Sequence, residues 1–149
     1  MAVMAYWYGK GFLAVLNKEV DWAADTIKVA LCTSSYTPDQ DAHDYFDDIT
    51  NEHSASGTGY TAGGATLGTP TIGYTAGTNV IKLDGNDVTW SSATITARYA
   101  IIYDSTPGTA ATNPLLLYVD FGANVTSTAG DFTITWSTDG IATITPAAP

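Results

Sequence analysis

The sequence predicts a mainly β chain: an antiparallel sandwich or jelly-roll-like domain with one N-terminal helix and a glycine-rich arm. Three observations carry that expectation. Short stretches alternating apolar and polar residues recur through the second half of the chain, with turn signals between them. Apolar residues at helical spacing occur mainly near the N-terminus. The length, 149 residues, suits a single domain that buries about two-thirds of its unfolded surface without disulfide staples.

Taken in order, residues 1–24 form the expected helix and interface segment. Phe12, Leu13, Leu16 and Val20 fall at helical spacing, with Tyr6 and Trp7 upstream, so a helix is expected within residues 5–19, weakened by Gly9 and Gly11. No small-residue cleavage site follows a charged start, so this stretch reads as mature structure made without a secretion signal. Ile27, Val29 and Leu31 alternate with Lys28, Ala30 and Cys32, the period of a strand with one face in the core. Cys32, the single cysteine, reads there as a small buried hydrophobe. Residues 37–53 collect Asp39, Asp41, Asp44, Asp47, Asp48 and Glu52, and Pro38 suits the first position of a short acidic helix.

Residues 54–68 hold Gly57, Gly59, Gly63 and Gly64 with little apolar content, and read as a long arm. Each ordered residue costs about 1–2 kcal/mol of backbone entropy. The arm is therefore expected to become ordered against a partner, with Tyr60 as its aromatic anchor, and the terminus Tyr6-Trp7-Tyr8 is expected to do the same. Beyond it strands are expected at about 70–75, 79–84, 87–90, 94–104, 115–122, 131–137 and 140–145. Asp84-Gly85-Asn86-Asp87 and Thr138-Asp139-Gly140 read as hairpin-type turns. Ile95, Ala97, Tyr99, Ile101 and Tyr103 form one apolar face, and Phe132, Ile134 and Trp136 another; Trp90 and Trp136 are expected in the core.

Charge narrows the function classes. Five Lys+Arg against fifteen Asp+Glu give a net charge of −10, yet only 13% of residues are charged, about half the usual share. The cations Lys10, Lys18, Lys28, Lys82 and Arg98 are scattered, which argues against nucleic-acid or acidic-membrane binding. No apolar run approaches the roughly 18 residues of a membrane span. Asp39 and Asp41 are weak candidates for a hard cation, because Asp44 and Thr50 occupy the glycine and glutamate positions that a calcium loop requires. One Cys with His43 and His53 falls short of a structural zinc set. No Gly-x-Ser-x-Gly element or phosphate loop occurs, and nothing singles out a catalytic pair among the fifteen acids. The reading is of a protein that is not an enzyme and needs no cofactor.

Several blocks, collinear along the chain, resemble those of a widespread family of small virion structural proteins of tailed bacteriophages and prophages. They are Asp21-Trp22, Thr26 to Asp41, His43 to Glu52, Gly57 to Gly64, Asp87-Val88-Thr89-Trp90, Ile95 to Ala100, Pro114 to Gly122 and Phe132 to Trp136. The resemblance runs from about 9 to 145. It implies residence in a phage particle, assembled in the bacterial host cytoplasm, and supplies no catalytic residue. Its place is expected to be the head exterior, as a decoration or cement protein. Its partners would be the major capsid protein or other virion proteins, together with further copies of itself, such as a trimer. A tail or head-fibre component is the alternative place. The aromatic residues leave a carbohydrate-binding host-adhesion module open, with Tyr60 and Tyr74 as candidate contacts. The candidate interface residues are Tyr6, Trp7, Tyr8, Gly57, Gly59, Tyr60, Gly63 and Gly64.

Overall fold

Two long strands, β7 (Val88–Asp104) and β8 (Leu115–Trp136), pair antiparallel and organise the computed structural model, which describes residues 2, 3 and 5–148. Three further strands flank β8 and β7: β1 (Ala2–Val3) and β2 (Tyr6–Trp7) both pair with β8, and β3 (Ile27–Cys32) pairs with β7. The two-residue β4 (Ala65–Thr66) closes this sheet beyond β3. A second sheet holds β5 (Thr71–Thr75), β6 (Val80–Asp84) and β9 (Ala142–Ile144) in the order β5-β6-β9. One helix, α1 (Gly9–Leu16), and single turns of tighter helix at Phe46–Asp48 and Ala110–Thr112 complete the elements. The chain is thus mainly β, antiparallel and sandwich-like, with a short helix near its N-terminus. Among the described residues no helix is long and apolar enough to cross a membrane.

The main core forms where one face of the large sheet meets the small one. Ile27, Val29 and Leu31 of β3, Ile95 and Ile102 of β7, and Phe132, Ile134 and Trp136 of β8 join Leu83, Ile141 and Ala142 there. The expected alternation of Phe132, Ile134 and Trp136 with exposed Thr133 and Thr135 is present, and Trp90 lies in the same core. A second, smaller core covers the opposite face of the large sheet. Tyr8, Ala30, Cys32, Tyr36, Ile101, Tyr103 and Leu115 build it. β3 is therefore covered on both faces, where the sequence suggested one. Cys32 is fully buried, and burial pushes its thiol up to about 12.

Several expectations need correction. The helix spans only Gly9–Leu16, because Tyr6 and Trp7 extend the sheet as β2. Its buried side is Gly11 and Ala14, while Leu13 and Leu16 are 54% and 66% exposed. Glycine at 11 permits this: a Cβ there would stand 2.1 Å from the Leu115 carbonyl oxygen, so the helix lies closer to β8 than any side chain allows. No helix starts at Pro38, and the only helical turn in residues 37–53 is the tighter one at Phe46–Asp48. Asp39 Oδ1 accepts the backbone N–H groups of Asp41 and Ala42, each at 3.0 Å, making a turn in place of a first helical turn. Phe46 then stacks on Tyr103 with ring centroids 4.1 Å apart and draws residues 37–53, a strap across the second core, onto the sheet.

The separate strands expected at 87–90 and 94–104 are one strand, as are those at 115–122 and 131–137. Irregularities in the β7–β8 pairing, near Ser92 (φ +53) and Ala129 (φ +47), bend the strands without ending them. A further shift between Ala97 and Tyr99 reverses the strand's parity. Ile95 and Ala97 consequently face the main core, while Ile101 and Tyr103 face the second one, so the expected single apolar face is divided. Asp84 to Asp87 is a crossing between sheets, not a hairpin turn, since β6 pairs with β5 and β9 while β7 pairs with β3 and β8. Ser137 and Gly140 do bridge a tight turn, but β9 beyond it joins the small sheet.

Candidate functional site

The N-terminal segment brings the expected interface residues to the edge of β8 and then separates them. Tyr6 is 60% exposed, its ring 5.6 Å from that of Tyr118. Trp7 is half-buried against Phe12. Tyr8 is fully buried, its hydroxyl 2.8 Å from that of Tyr36, which lies 2.8 Å from His43 Nδ1. Burial raises the Tyr8 hydroxyl far above its ordinary pKa. Tyr8 is thus an anchor for the strap, not a contact residue. The strap returns the support: the Gly9 N–H donates to the Gln40 carbonyl, and Gln40 Nε2 donates to the Trp7 carbonyl at 2.7 Å.

Seating α1 through Gly11 leaves its other side outward. Leu13 lines a groove of about 250 Å³ with Lys10, Asn17, Glu19, Asp44 and Tyr45. Lys10 Nζ crosses its rim to the Ala42 carbonyl at 3.0 Å and Asp44 Oδ2 at 3.2 Å. The groove has an apolar wall, a fixed cation and two carboxylates. Such a surface suits a protein side chain or backbone better than a single charged metabolite.

Residues 54–68 are not a free arm. Tyr60 is only 3% exposed, and its hydroxyl accepts the Leu31 N–H at 3.0 Å while donating to Glu52 Oε1 at 2.7 Å. The same Glu52 oxygen accepts the Gly63 N–H at 2.6 Å, and Tyr103 donates to the Gly63 carbonyl at 2.7 Å. Gly64 presses on β3, and Gly59 lies against Ala93. Gly57 alone among these glycines has no neighbour that a Cβ would meet. A carboxylate and two tyrosines thus tie this segment to the body of the chain. Tyr60 is unavailable to a glycan.

A second surface was not visible in the sequence. Arg98 forms a two-point ion pair with Asp120, with Nη2 3.1 Å from Oδ2, and its guanidinium lies 5.5 Å from the centre of the Tyr99 ring. The partners are 22 residues apart on neighbouring strands, and only the register Tyr99↔Asp120 brings them together. Tyr118 lies on the same strand as Asp120 and carries Tyr6. Exposed aromatic surface and a planar charged pair therefore share this end of the sheet.

Of the two weak cation candidates, Asp39 has a structural role. Asp39 forms the turn described above, and Asp41 is exposed beside it. Among the described residues no group of three or more His, Cys, Asp and Glu side chains is placed to hold a metal ion. Three carboxylates are held below their ordinary value of 3.8: Asp39 chiefly by the Ala42 N–H, Asp48 chiefly by the Asp44 N–H, and Asp120 chiefly by the Arg98 guanidinium. A depressed folded-state pKa contributes stability above the unfolded pKa, and that stability is lost as pH falls through the folded value. Burial raises Asp104, so its ionisation subtracts stability and its protonation restores some. With three groups against one, the urea midpoint is expected to fall below about pH 4, by a modest amount because Asp39 and Asp120 are exposed and Asp48 is only half-buried. A midpoint that rises on acidification to about pH 3 would make Asp104 the dominant group.

No family model, curated protein or solved structure matches the chain.

Proposed function

We propose that the chain is a non-enzymatic structural component of a tailed-bacteriophage virion, and more specifically a decoration or cement protein on the head exterior. The observation that carries this reading is the outward face of α1. Leu13 and Leu16 are exposed on a helix fixed to β8 by the close approach at Gly11. An apolar face held rigid loses little entropy when a partner covers it. The collinear resemblance to phage structural proteins supports the same reading, as does a net charge of −10, which favours solubility at high local concentration and disfavours lining packaged DNA. Catalysis by the obvious nucleophile is disfavoured, because Cys32 is buried and its thiol is pushed up to about 12. Weak contacts repeated over a shell sum to high avidity, so modest affinity per copy suffices.

Co-sedimentation with heads assembled in its absence tests the proposal. Wild-type protein is expected to pellet with the heads, and the double substitution Leu13→Glu, Leu16→Glu is expected to lose at least ten-fold in occupancy while melting normally. Wild-type protein that stays in the supernatant with heads, but pellets with tails, would move the chain to the tail.

A carbohydrate-binding role is favoured by one specific observation: Tyr6, Tyr118 and Tyr99 with the Arg98–Asp120 pair combine ring faces with fixed donors and acceptors. Glycan-array binding lost in Tyr6→Ala would support it, whereas a blank array together with head binding would remove it.

A further inference from the structure

The free strand edges of this chain are protected unequally. A sheet edge offers unpaired N–H and C=O groups to any other strand, and proteins blunt it with charge, proline, bulges or short length. Between its contacts with β2 and β1, β8 carries Asp120 and Asp131 and is bent at Gly122 (φ +80) and Ala129 (φ +47). β4 has two residues and β9 three. Beyond β9, the Pro146 carbonyl is tied back by Asn79 Nδ2 at 2.9 Å.

β5 has none of these devices. It pairs with β6 without interruption from Thr71↔Asp84 to Thr75↔Val80, and its other edge has no partner strand among the described residues. All five residues are exposed, including Ile72 at 52% and Tyr74 at 60%. No charged residue and no proline lies within the strand. The uncharged stretch is longer than the strand, since residues 53–81 contain no Asp, Glu, Lys or Arg in a chain of net charge −10. The charges across from it on β6, Lys82 and Asp84, neutralise each other at 2.9 Å.

We propose that β5 pairs antiparallel with β5 of a second copy across a two-fold axis at Gly73. The occupant follows from the strand's own pattern. Thr-Ile-Gly-Tyr-Thr has the same order of residue classes in both directions. With Gly73 opposite Gly73, Ile72 faces the partner's Tyr74, Tyr74 faces the partner's Ile72, and threonines face each other at both ends. Aromatic against β-branched and threonine against threonine are favourable cross-strand pairs. The contact is isologous, as two-fold interfaces are, and merges two three-stranded sheets into one. Charge selects the same partner. Two copies of −10 repel wherever their acidic surfaces meet, and residues 53–81 are where they can touch with least repulsion.

The contact is small. Five residues span about 17 Å, and such a strip falls short of the roughly 1,000 Å² that a stable complex buries, so the pairing is weak in dilute solution and fills at high local concentration. Added salt screens the remaining repulsion and should strengthen it, the reverse of an ion-pair interface. The stoichiometry is two, distinct from the trimer expected from the sequence. Pairing through β5 depends on strand geometry alone and is independent of the virion reading.

Single cysteines in the full chain test the register, since native Cys32 is buried. A Cβ at Gly73 or at Gly77 meets nothing within 4 Å, so Gly73→Cys and Gly77→Cys should both fold. Across the proposed axis, position 73 faces itself, whereas the two copies of position 77 lie more than about 20 Å apart at strand spacing. Gly73→Cys is expected to form the disulfide-linked dimer at least ten-fold faster than Gly77→Cys under mild oxidation, and adding Tyr74→Lys should erase the difference. Sedimentation velocity of the wild type should show dimer increasing with protein concentration and with salt. Equal cross-linking of the two cysteine variants, or a wild type that stays monomeric at millimolar concentration in both low and high salt, would overturn the proposal. Either outcome leaves head binding untouched, so the two proposals fail separately.

Discussion

Gly64→Ala is expected to lower the unfolding free energy by about 3 kcal/mol or more, the upper range for forcing atoms into a packed site. A Cβ at this position would stand 1.9 Å from the Val29 carbonyl oxygen and 2.5 Å from its carbon, and the backbone has φ +77. The obstacle is the central strand β3, which cannot yield without disturbing its pairing with β7. Gly11→Ala is the companion case. In an exposed helix, alanine for glycine would stabilise by about 1 kcal/mol. Here the Leu115 carbonyl 2.1 Å from the new Cβ reverses the sign, and a net loss of about 2 kcal/mol is expected. Gly77→Ala, with nothing nearby, should change stability little. Guanidinium denaturation of the three variants measures these differences, and an unchanged midpoint for Gly64→Ala would mean that the 54–68 segment does not lie against β3.

Tyr60→Ala should cost about 3–5 kcal/mol, the usual range for deleting a buried aromatic ring. Tyr60→Phe separates the ring from the hydroxyl. It leaves the Leu31 amide and the Glu52 carboxylate each short of a partner, which should cost about 1–3 kcal/mol. Hydrogen exchange adds a local readout. The Gly63 amide, which also depends on Glu52, is expected to exchange faster in Tyr60→Phe than in the wild type. Unchanged exchange at Gly63 together with an unchanged melting temperature would remove the tyrosine–carboxylate clamp from the account.

That clamp marks the boundary of what the sequence discloses. Strand periodicity located β3, β5, β6 and β9 closely, because side chains alternate locally whatever the tertiary context. The core positions of Phe132, Ile134 and Trp136 followed from the same rule. What failed depended on distant residues. Glycine count made residues 54–68 look like an arm, whereas Leu31, Glu52 and Tyr103, all outside the segment, hold its Tyr60 and Gly63. Apolar spacing made Leu13 and Leu16 look buried, and only the approach of α1 to Leu115 and Leu116 shows that glycine and alanine form the packed side. The parity change after Ala97 is set by an irregular register with β8, which no local pattern encodes.

The candidate surface was legible in the same uneven way. Of the three terminal aromatics, Tyr6 stands exposed, Tyr8 is buried and Trp7 lies between them. The Arg98–Asp120 pair left no trace because its spacing belongs to the sheet. The uncharged run from 53 to 81, by contrast, is plain in the sequence; its meaning emerged once β5 proved to be an unprotected edge.

Reconstruction of intact virions by electron cryomicroscopy, compared with particles lacking this chain, tests the central proposal most directly. The account predicts added density on the outer surface of the head, at junctions between major capsid proteins, with the face of α1 bearing Leu13 and Leu16 turned toward the shell. Identical head surfaces in the two particles, with difference density confined to the tail or absent altogether, would contradict it.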